Sequence, residues 1–320
     1  MKKDVLLTLV CVMCFGMLAY AAPKKVALVG RISWCPGSAG STHDRDFDIM
    51  HHFSMTDELL CKLVDSWGYF GVLMPDYVVQ YMVNDGICPF PPGDDADYFN
   101  YVNDGEYMIQ PTFLADDGYG LAYVTGTCWS SIAPQLRESG VPVIMGEHSC
   151  TASNTGKIGT IFMFYGTGNG DKNGDDSILL TDAGKTHPLT AGLPNEIKLW
   201  NIPAGAPVTA ADVCNGIKDV VADAAPGTKV LAVWKSEPTM AALSVVDAGG
   251  ELADGAVAAQ RMAVPFCNGG AVRPTPDAEL PPNWVNTYEY MTPAGVDLLR
   301  RTVRWCMGED PTAVGKWDLK

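Results

Sequence analysis

The chain has 320 residues, of which 37 are acidic and 22 are basic, and its formal net charge is −15. A protein this acidic is repelled by nucleic-acid phosphates and by anionic lipid surfaces, which argues against both as general partners. Hydrophobic residues make up 47% of the chain and charged residues only 18%. That composition is sufficient for a packed core and excludes a mainly disordered chain.

The amino terminus has the pattern of a secretory signal peptide. Basic residues 2–3 precede an apolar run over residues 5–22, and Ala19-Tyr20-Ala21 places small side chains where a signal peptidase cleaves. We expect cleavage after Ala21, a secreted or periplasmic protein, and no stable membrane span in the mature chain. An uncleaved anchor is the alternative, because the run of about 18 residues lies at the lower limit for a spanning helix.

The first half of the chain predicts strands alternating with helices. Residues 25–30 form an apolar strand, and apolar residues at helical spacing between Ser54 and Gly68 predict a helix. A strand over residues 70–74 then completes a β-α-β unit. Such units give a parallel sheet with helices on both faces.

A second unit follows an irregular insertion at residues 77–118. It consists of a strand over residues 119–126, a helix over residues 131–139 and a strand over residues 141–146. Since both units favour the same architecture, we expect one α/β domain rather than two separate folds.

The second half changes character, because its apolar runs are separated by short turns that favour antiparallel hairpins. Strands are predicted over residues 158–165, 177–181, 230–234, 241–246 and 261–266. Thr292 caps a last helix with Pro293 at its first position. We therefore expect one domain over residues 22–310, with an elaborated, more antiparallel carboxyl-terminal half and a tail over residues 311–320.

Polar residues follow several predicted strands, where ligands of open parallel sheets bind. Arg31, Asp76 and Thr127 are the candidate ligand-binding residues. Glu147 and His148 follow the strand that ends at residue 146, and a carboxylate beside an imidazole is suited to acid–base chemistry or to binding a metal ion. The alternative is a Glu bonded to backbone amides beside a surface His.

An acidic segment in the second half has oxygen ligands at alternate positions, as calcium loops do. Asp171, Asn173, Asp175 and Asp182 form this candidate calcium site. Asp176 occupies the position where such loops have glycine, and Asp182 replaces the usual glutamate. The alternative is an acidic hairpin turn without a metal ion.

Four segments occur in an order that resembles a known family. They are residues 140–148, residues 186–193 with the sequence Thr-His-Pro-Leu-Thr-Ala-Gly-Leu, residues 292–295 and residues 303–308. Together they resemble trehalose-utilisation (ThuA-like) domains of the class I glutamine-amidotransferase-like superfamily, in particular exported bacterial members. The resemblance covers roughly residues 25–308, and the second segment is its most specific part.

The resemblance implies a flavodoxin-like three-layer sandwich and gives His187 as a match to a recurrent histidine of the family. It implies no single activity. True amidotransferases place a cysteine nucleophile in the turn after the strand that here ends at Gly146. This chain has Glu147, His148 and Ser149 there instead, so glutaminase chemistry is not expected.

Three functions remain open from the sequence, the third being a structural component of an envelope or extracellular assembly. The first is an exported, non-catalytic domain that binds a carbohydrate or a protein partner, with aromatic side chains for stacking at Tyr98, Phe99, Tyr101 and Tyr107. The alternative is an enzyme acting on a sugar or related small molecule through Glu147, His148 and His187, with or without a metal ion. Convergence of these three side chains in one pocket would favour the enzyme.

Overall fold

The structure, a computed structural model, describes thirteen parts of the chain: residues 24–30, 32–33, 52–53, 55–75, 112–126, 136–148, 151, 161–166, 175–206, 219–266, 272–273, 283–284 and 288–313. The predicted signal peptide and most of the insertion lie outside these residues. Within the described part, no helix has the length and apolar character needed to cross a membrane.

The strands follow the chain in this order: β1 Lys25–Gly30, β2 Ile32–Ser33, β3 His52–Phe53, β4 Phe70–Pro75, β5 Tyr119–Val124, β6 Val143–Met145, β7 Ser177–Leu180, β8 Glu196–Lys198, β9 Thr228–Trp234, β10 Ala241–Val246, β11 Met262–Val264, β12 Val272–Arg273 and β13 Asn283–Trp284. The helices are α1 Met55–Ser66, α2 Phe113–Asp116, α3 Asp182–Thr186 and α4 Pro293–Cys306. Short 3₁₀ turns occur at Leu136–Glu138, Pro188–Thr190 and Val221–Asp223.

Nine of these strands form one mixed sheet in the order β4-β1-β5-β6-β11-β10-β9-β7-β8. The first five in this order are parallel to one another. Antiparallel pairing then joins β11 to β10, β10 to β9, β9 to β7 and β7 to β8. The predicted α/β class with a parallel first half and a more antiparallel second half is confirmed at this level.

Alternating residues of the central strands are buried on opposite faces of the sheet, as the two-residue repeat of a strand requires. On one face Val26, Leu28 and Tyr123 pack with side chains from α1 and α4. On the other face Ala27 and Val29 pack with α2, the turn at Leu136–Glu138 and residues 161–164. The sheet is therefore covered on both sides, and the two long helices among the described residues, α1 and α4, lie on the same side.

Two predicted elements differ from the structure. The strand predicted over residues 158–165 has only an isolated bridge, from Phe164 to Ala224, in its described part, because residues 161–164 pack against the face of the sheet. In the predicted helix over residues 131–139, the described part is the 3₁₀ turn at Leu136–Glu138. Apolar residues in both segments are buried, so a buried apolar run did not distinguish a sheet strand from a segment covering the sheet.

The last helix agrees with its sequence signals. Thr292 Oγ1 accepts a hydrogen bond of 3.1 Å from Gly295 N, and Pro293 is the first helical residue. The buried face of α4 includes Leu298, Leu299 and Val303. The cap and the apolar stripe together explain why this segment forms a helix against the sheet.

Close packing at Gly184 in α3 provides a test of the fold. A β-carbon at this position would lie 1.9 Å from Leu231 O in β9, so Gly184→Ala forces α3 away from the sheet. We expect a loss of about 1–3 kcal/mol or more in the free energy of unfolding, measured by urea denaturation. The control Ala183→Ser changes the exposed neighbour and should stay within about 0.5 kcal/mol of the native value. Equal effects of the two substitutions would contradict the close contact.

Candidate functional site

The carboxyl ends of the five parallel strands meet at one edge of the sheet, here called the carboxyl edge. The chain passes from β1 to β4 on one side of β1 and then to β5 on the other side. A crevice forms at such a reversal of strand order, and it is the place where open α/β sheets bind ligands. The described residues at this edge are therefore the first candidates for a functional site.

Asp57 and Thr125 approach each other where β1 ends. A β-carbon added to Gly30 would lie 2.6 Å from Asp57 Oδ2 and 3.1 Å from Thr125 Oγ1. Both side chains are fully buried. Glycine at the end of β1 thus leaves room for a carboxylate from the first turn of α1.

Three predicted ligand-binding residues lie outside the described part of the chain. They are Arg31, Asp76 and Thr127, and their role stays a prediction. The described residues that precede them are Gly30, Pro75 and Gly126, each at or just after the carboxyl end of a parallel strand.

Glu147 and His148 follow β6 at the same edge, and their environments differ. His148 is fully buried, whereas Glu147 is half-buried. His148 Nδ1 lies 2.8 Å from Asp219 Oδ2, and His148 Nε2 lies 3.2 Å from the carbonyl oxygen of Pro265. Both ring nitrogens are thus engaged within the protein, and Glu147 is the more accessible of the two neighbours.

Thr151 completes this buried group. Its hydroxyl lies 2.8 Å from the carbonyl oxygen of His148 and also contacts Asp219 Oδ1. The backbone of Asp219 is fixed as well, because its carbonyl accepts a hydrogen bond of 2.8 Å from Ala241 N at the start of β10. Hydrogen bonds of this group therefore connect three segments of the chain: the one that follows β6, the one that follows β11 and the one that precedes β10.

The electrostatics of this group favour a charged imidazole. Burial lowers the pKa of His148, but the charge and hydrogen bond of Asp219 and the charge of Glu147 act in the opposite direction. The net result is a pKa above the ordinary value for histidine. When His148 is protonated, its contact with the carboxylate of Asp219 is an ion pair enclosed by protein.

His187 lies at the opposite edge of the sheet, called the amino edge. It follows β7 and α3, and β7 runs opposite to the five parallel strands. Its Nδ1 accepts a hydrogen bond of 3.3 Å from Leu189 N, and its ring packs 5.5 Å from that of Trp305. The strands, roughly 15 Å long, separate it from His148, so the structure does not bring together the three candidate catalytic side chains.

The described part of the candidate calcium site is also separated. Asp175 precedes β7 and accepts hydrogen bonds from Ser177 N at 2.7 Å and Ser236 N at 2.5 Å. Asp182 follows β7, in the first turn of α3, and pairs with Lys185 at 2.9 Å. The two carboxylates lie at opposite ends of a strand, so the structure does not place them around a common ion, and the calcium site stays a prediction. Asp171 and Asn173 lie outside the described residues.

The described residues contain no group of three or more His, Cys, Asp or Glu side chains arranged to hold a metal ion. Two cysteines are described, Cys61 and Cys306. Burial is the main cause that raises the pKa of each thiol, which keeps both in the unreactive protonated form. Cys128 and Cys150 lie outside the described part.

The sequence did not reveal Asp219 or Thr151 as partners of His148. Asp219 is 71 residues away along the chain, and no motif surrounds it. One local signal was available for Thr151. It lies three residues after His148, and a threonine at this spacing can donate a hydrogen bond to the backbone carbonyl of the earlier residue.

The chain matches no protein-family model and no curated protein. Among solved structures it is similar to cytoplasmic protein STM1381 from Salmonella typhimurium LT2, with 12% identity, a TM-score of 0.41 and coverage of 89% of this chain and 97% of the other. It is also similar to a protein from Thermoplasma acidophilum that is described as a candidate GMP synthase component. That match has 8% identity, a TM-score of 0.39 and coverage of 89% and 95%.

The location of His187 generates a prediction about acid stability. Burial lowers the pKa of His187 in the folded chain, so below the ordinary value of about 6.5 the unfolded chain binds a proton that the folded chain does not. The contribution to stability is thus lost as pH falls below about 6.5. His187→Asn, which keeps an acceptor for Leu189 N, should reduce this loss.

The measurement is the free energy of unfolding of both proteins between pH 5 and 8. The difference between them should be constant above about pH 7 and should change below about pH 6.5 in favour of His187→Asn. A difference independent of pH would show that His187 does not have a lowered pKa.

Proposed function

We propose that this chain is an exported, non-catalytic binding domain of flavodoxin-like, amidotransferase-like architecture, and that its crevice at the carboxyl edge takes a carbohydrate. The finer family assignment, a ThuA-like domain, belongs to the same proposal and rests on the four sequence segments. A secreted or periplasmic location follows from the predicted signal peptide.

One observation carries the proposal. The turn after β6, where the resemblance places a cysteine nucleophile, here has a half-buried carboxylate followed by a histidine whose two ring nitrogens are both bonded to protein oxygens. Neither group forms the covalent intermediate of an amidotransferase, since acyl transfer in that class requires a thiolate. Among the described residues of this turn, the carboxylate of Glu147 is the group suited to accept hydrogen bonds from a ligand.

A carboxylate such as Glu147 is suited to sugar hydroxyls, which are donors and bond more strongly to an ionised acceptor than to a neutral one. The fixed turn lowers the ordering cost of binding, because His148 and Thr151 already hold the backbone on its carboxyl-terminal side. Arg31 and Thr127 would add a cation and a hydroxyl at the neighbouring strand ends. Stacking on the predicted aromatic residues of the insertion would supply apolar contact.

The enzyme alternative receives less support. It depended on Glu147, His148 and His187 in a common pocket, and His187 lies at the amino edge as a cap of the turn Pro188–Thr190. His148 has no exposed surface. Neither histidine of this set reaches a ligand that contacts Glu147 at the carboxyl edge.

The proposal is tested by titrating the mature chain with a panel of neutral mono- and disaccharides in a calorimeter. Glu147→Gln should weaken binding of any hit about tenfold or more, the loss of one hydrogen bond to a charged group. Glu251→Gln is the matched control, because it neutralises an exposed carboxylate in the loop that follows β10 at the amino edge. Equal affinities of Glu147→Gln and the native chain would place the sugar elsewhere, and absence of any hit would favour a protein partner.

A second experiment concerns the missing nucleophile. Glutamine hydrolysis would require a thiolate, a base and an oxyanion hole at the turn after β6. We expect no ammonia release from glutamine by the native chain in a coupled assay. Release that disappears in Cys128→Ser or Cys150→Ser would contradict the non-catalytic function and assign the nucleophile to the substituted residue.

A further inference from the structure

We propose that the buried His148–Asp219 pair is a proton-dependent lock on the turn that bears Glu147, so that the crevice keeps its shape only while His148 is an imidazolium. His148 and Asp219 are then positioning residues for Glu147. The inference deepens the proposed function, since it concerns the regulation of the same crevice, and its structural part can be tested without any ligand.

The argument begins with the number of protons. The carbonyl oxygen of Pro265 accepts hydrogen bonds and never donates, and an ionised Asp219 also only accepts. His148 places one ring nitrogen against each of these oxygens, at 3.2 and 2.8 Å. A neutral imidazole has one N–H, so one of the two contacts would become a lone pair facing a lone pair. Only the imidazolium donates to both.

Among the described residues, the charges that face His148 are those of Asp219 and Glu147, both acidic. Asp219 is nearly fully buried, with an exposed side-chain fraction of 1%. Loss of the proton would remove the positive charge that faces this carboxylate, and the one N–H left on the ring could serve Asp219 or the carbonyl of Pro265 but not both. An uncompensated charge in such a place is unfavourable, so at least one of the two contacts of His148 is expected to break.

Loss of a contact has a direct consequence for the crevice. His148 connects the turn after β6 to the segments around Asp219 and Pro265, and Glu147 is its covalent neighbour. When either contact of His148 breaks, the backbone at Glu147 is held less firmly. Binding at the crevice should therefore be strongest near neutral or mildly acidic pH and decline under alkaline conditions.

The test is a titration of the mature, ligand-free chain, labelled with ¹⁵N and followed by NMR from pH 6 to pH 10. At pH 6.5 both ring nitrogens of His148 should be protonated. The loss of one proton at higher pH should be accompanied by a shift of the Glu147 amide signal with the same midpoint. A neutral His148 at pH 6.5, or a Glu147 amide that does not follow the ring, would overturn the proposal.

Variants assign the effect to the pair. Asp219→Asn removes the facing charge and should lower the midpoint by about one to three pH units. If that variant does not fold, Glu147→Gln, which leaves the pair intact, should lower the midpoint by a smaller amount. His187→Asn is the control at the amino edge and should leave it unchanged. An unchanged midpoint in the folded charge variants would contradict the lock, whereas a failure to bind sugars would concern the proposed function alone.

Discussion

The direction of β10 determines at which edge of the sheet His187 lies and which carboxylate meets His148. β11 runs parallel to β6, but β10 runs antiparallel to β11. The next two neighbours in the sheet, β9 and β7, are also joined by antiparallel pairing. Because of this reversal, the residues after β7 face the amino edge, while those after β6 and β11 face the carboxyl edge. Two histidines that each follow a strand are therefore placed at opposite ends of the sheet, and they have different roles.

The same reversal provides Asp219 as a partner for His148. An antiparallel β10 begins at the carboxyl edge, and the backbone of Asp219 is bonded to its first residue, Ala241. A parallel strand at this position would begin at the amino edge, and the segment before it would be too far from His148. The buried contact between His148 and Asp219 is thus a product of the mixed sheet, and an entirely parallel sheet could not form it in this way.

The sequence predicted the parts of the fold whose signals are local. The strand Ala241–Val246 and the capped helix α4 agree with their patterns because an apolar repeat, a cap and a proline act within a few residues. The cover over the second face of the sheet could not be predicted in the same way. Residues 161–164 are as apolar as a strand, and only their packing against the sheet decides that they lie across it.

The candidate site shows the same limit. Strand ends indicated Glu147 and His148, since a residue after a parallel strand lies at the carboxyl edge in any arrangement of this kind. Which of the two is buried depends on a residue 71 positions away. Likewise, the sequence around His187 did not indicate its edge of the sheet, which depends on the number of antiparallel pairings between β11 and β7.

The segment that follows β11 is held by apolar packing and by a contact with His148, and the two constrain it in different ways. Phe266 packs edge-on against Trp200, with ring centroids 5.8 Å apart, and Trp200 stacks on Trp234 at 6.3 Å. Burying two charges costs several kcal/mol for each ion before their attraction is counted, and apolar replacements of the same size are often as stable. Aromatic packing fixes the depth of this segment but tolerates sliding and rotation. The bond from His148 to the carbonyl of Pro265 has one direction and one length, so it fixes the segment relative to the turn after β6, which apolar contact alone would not do.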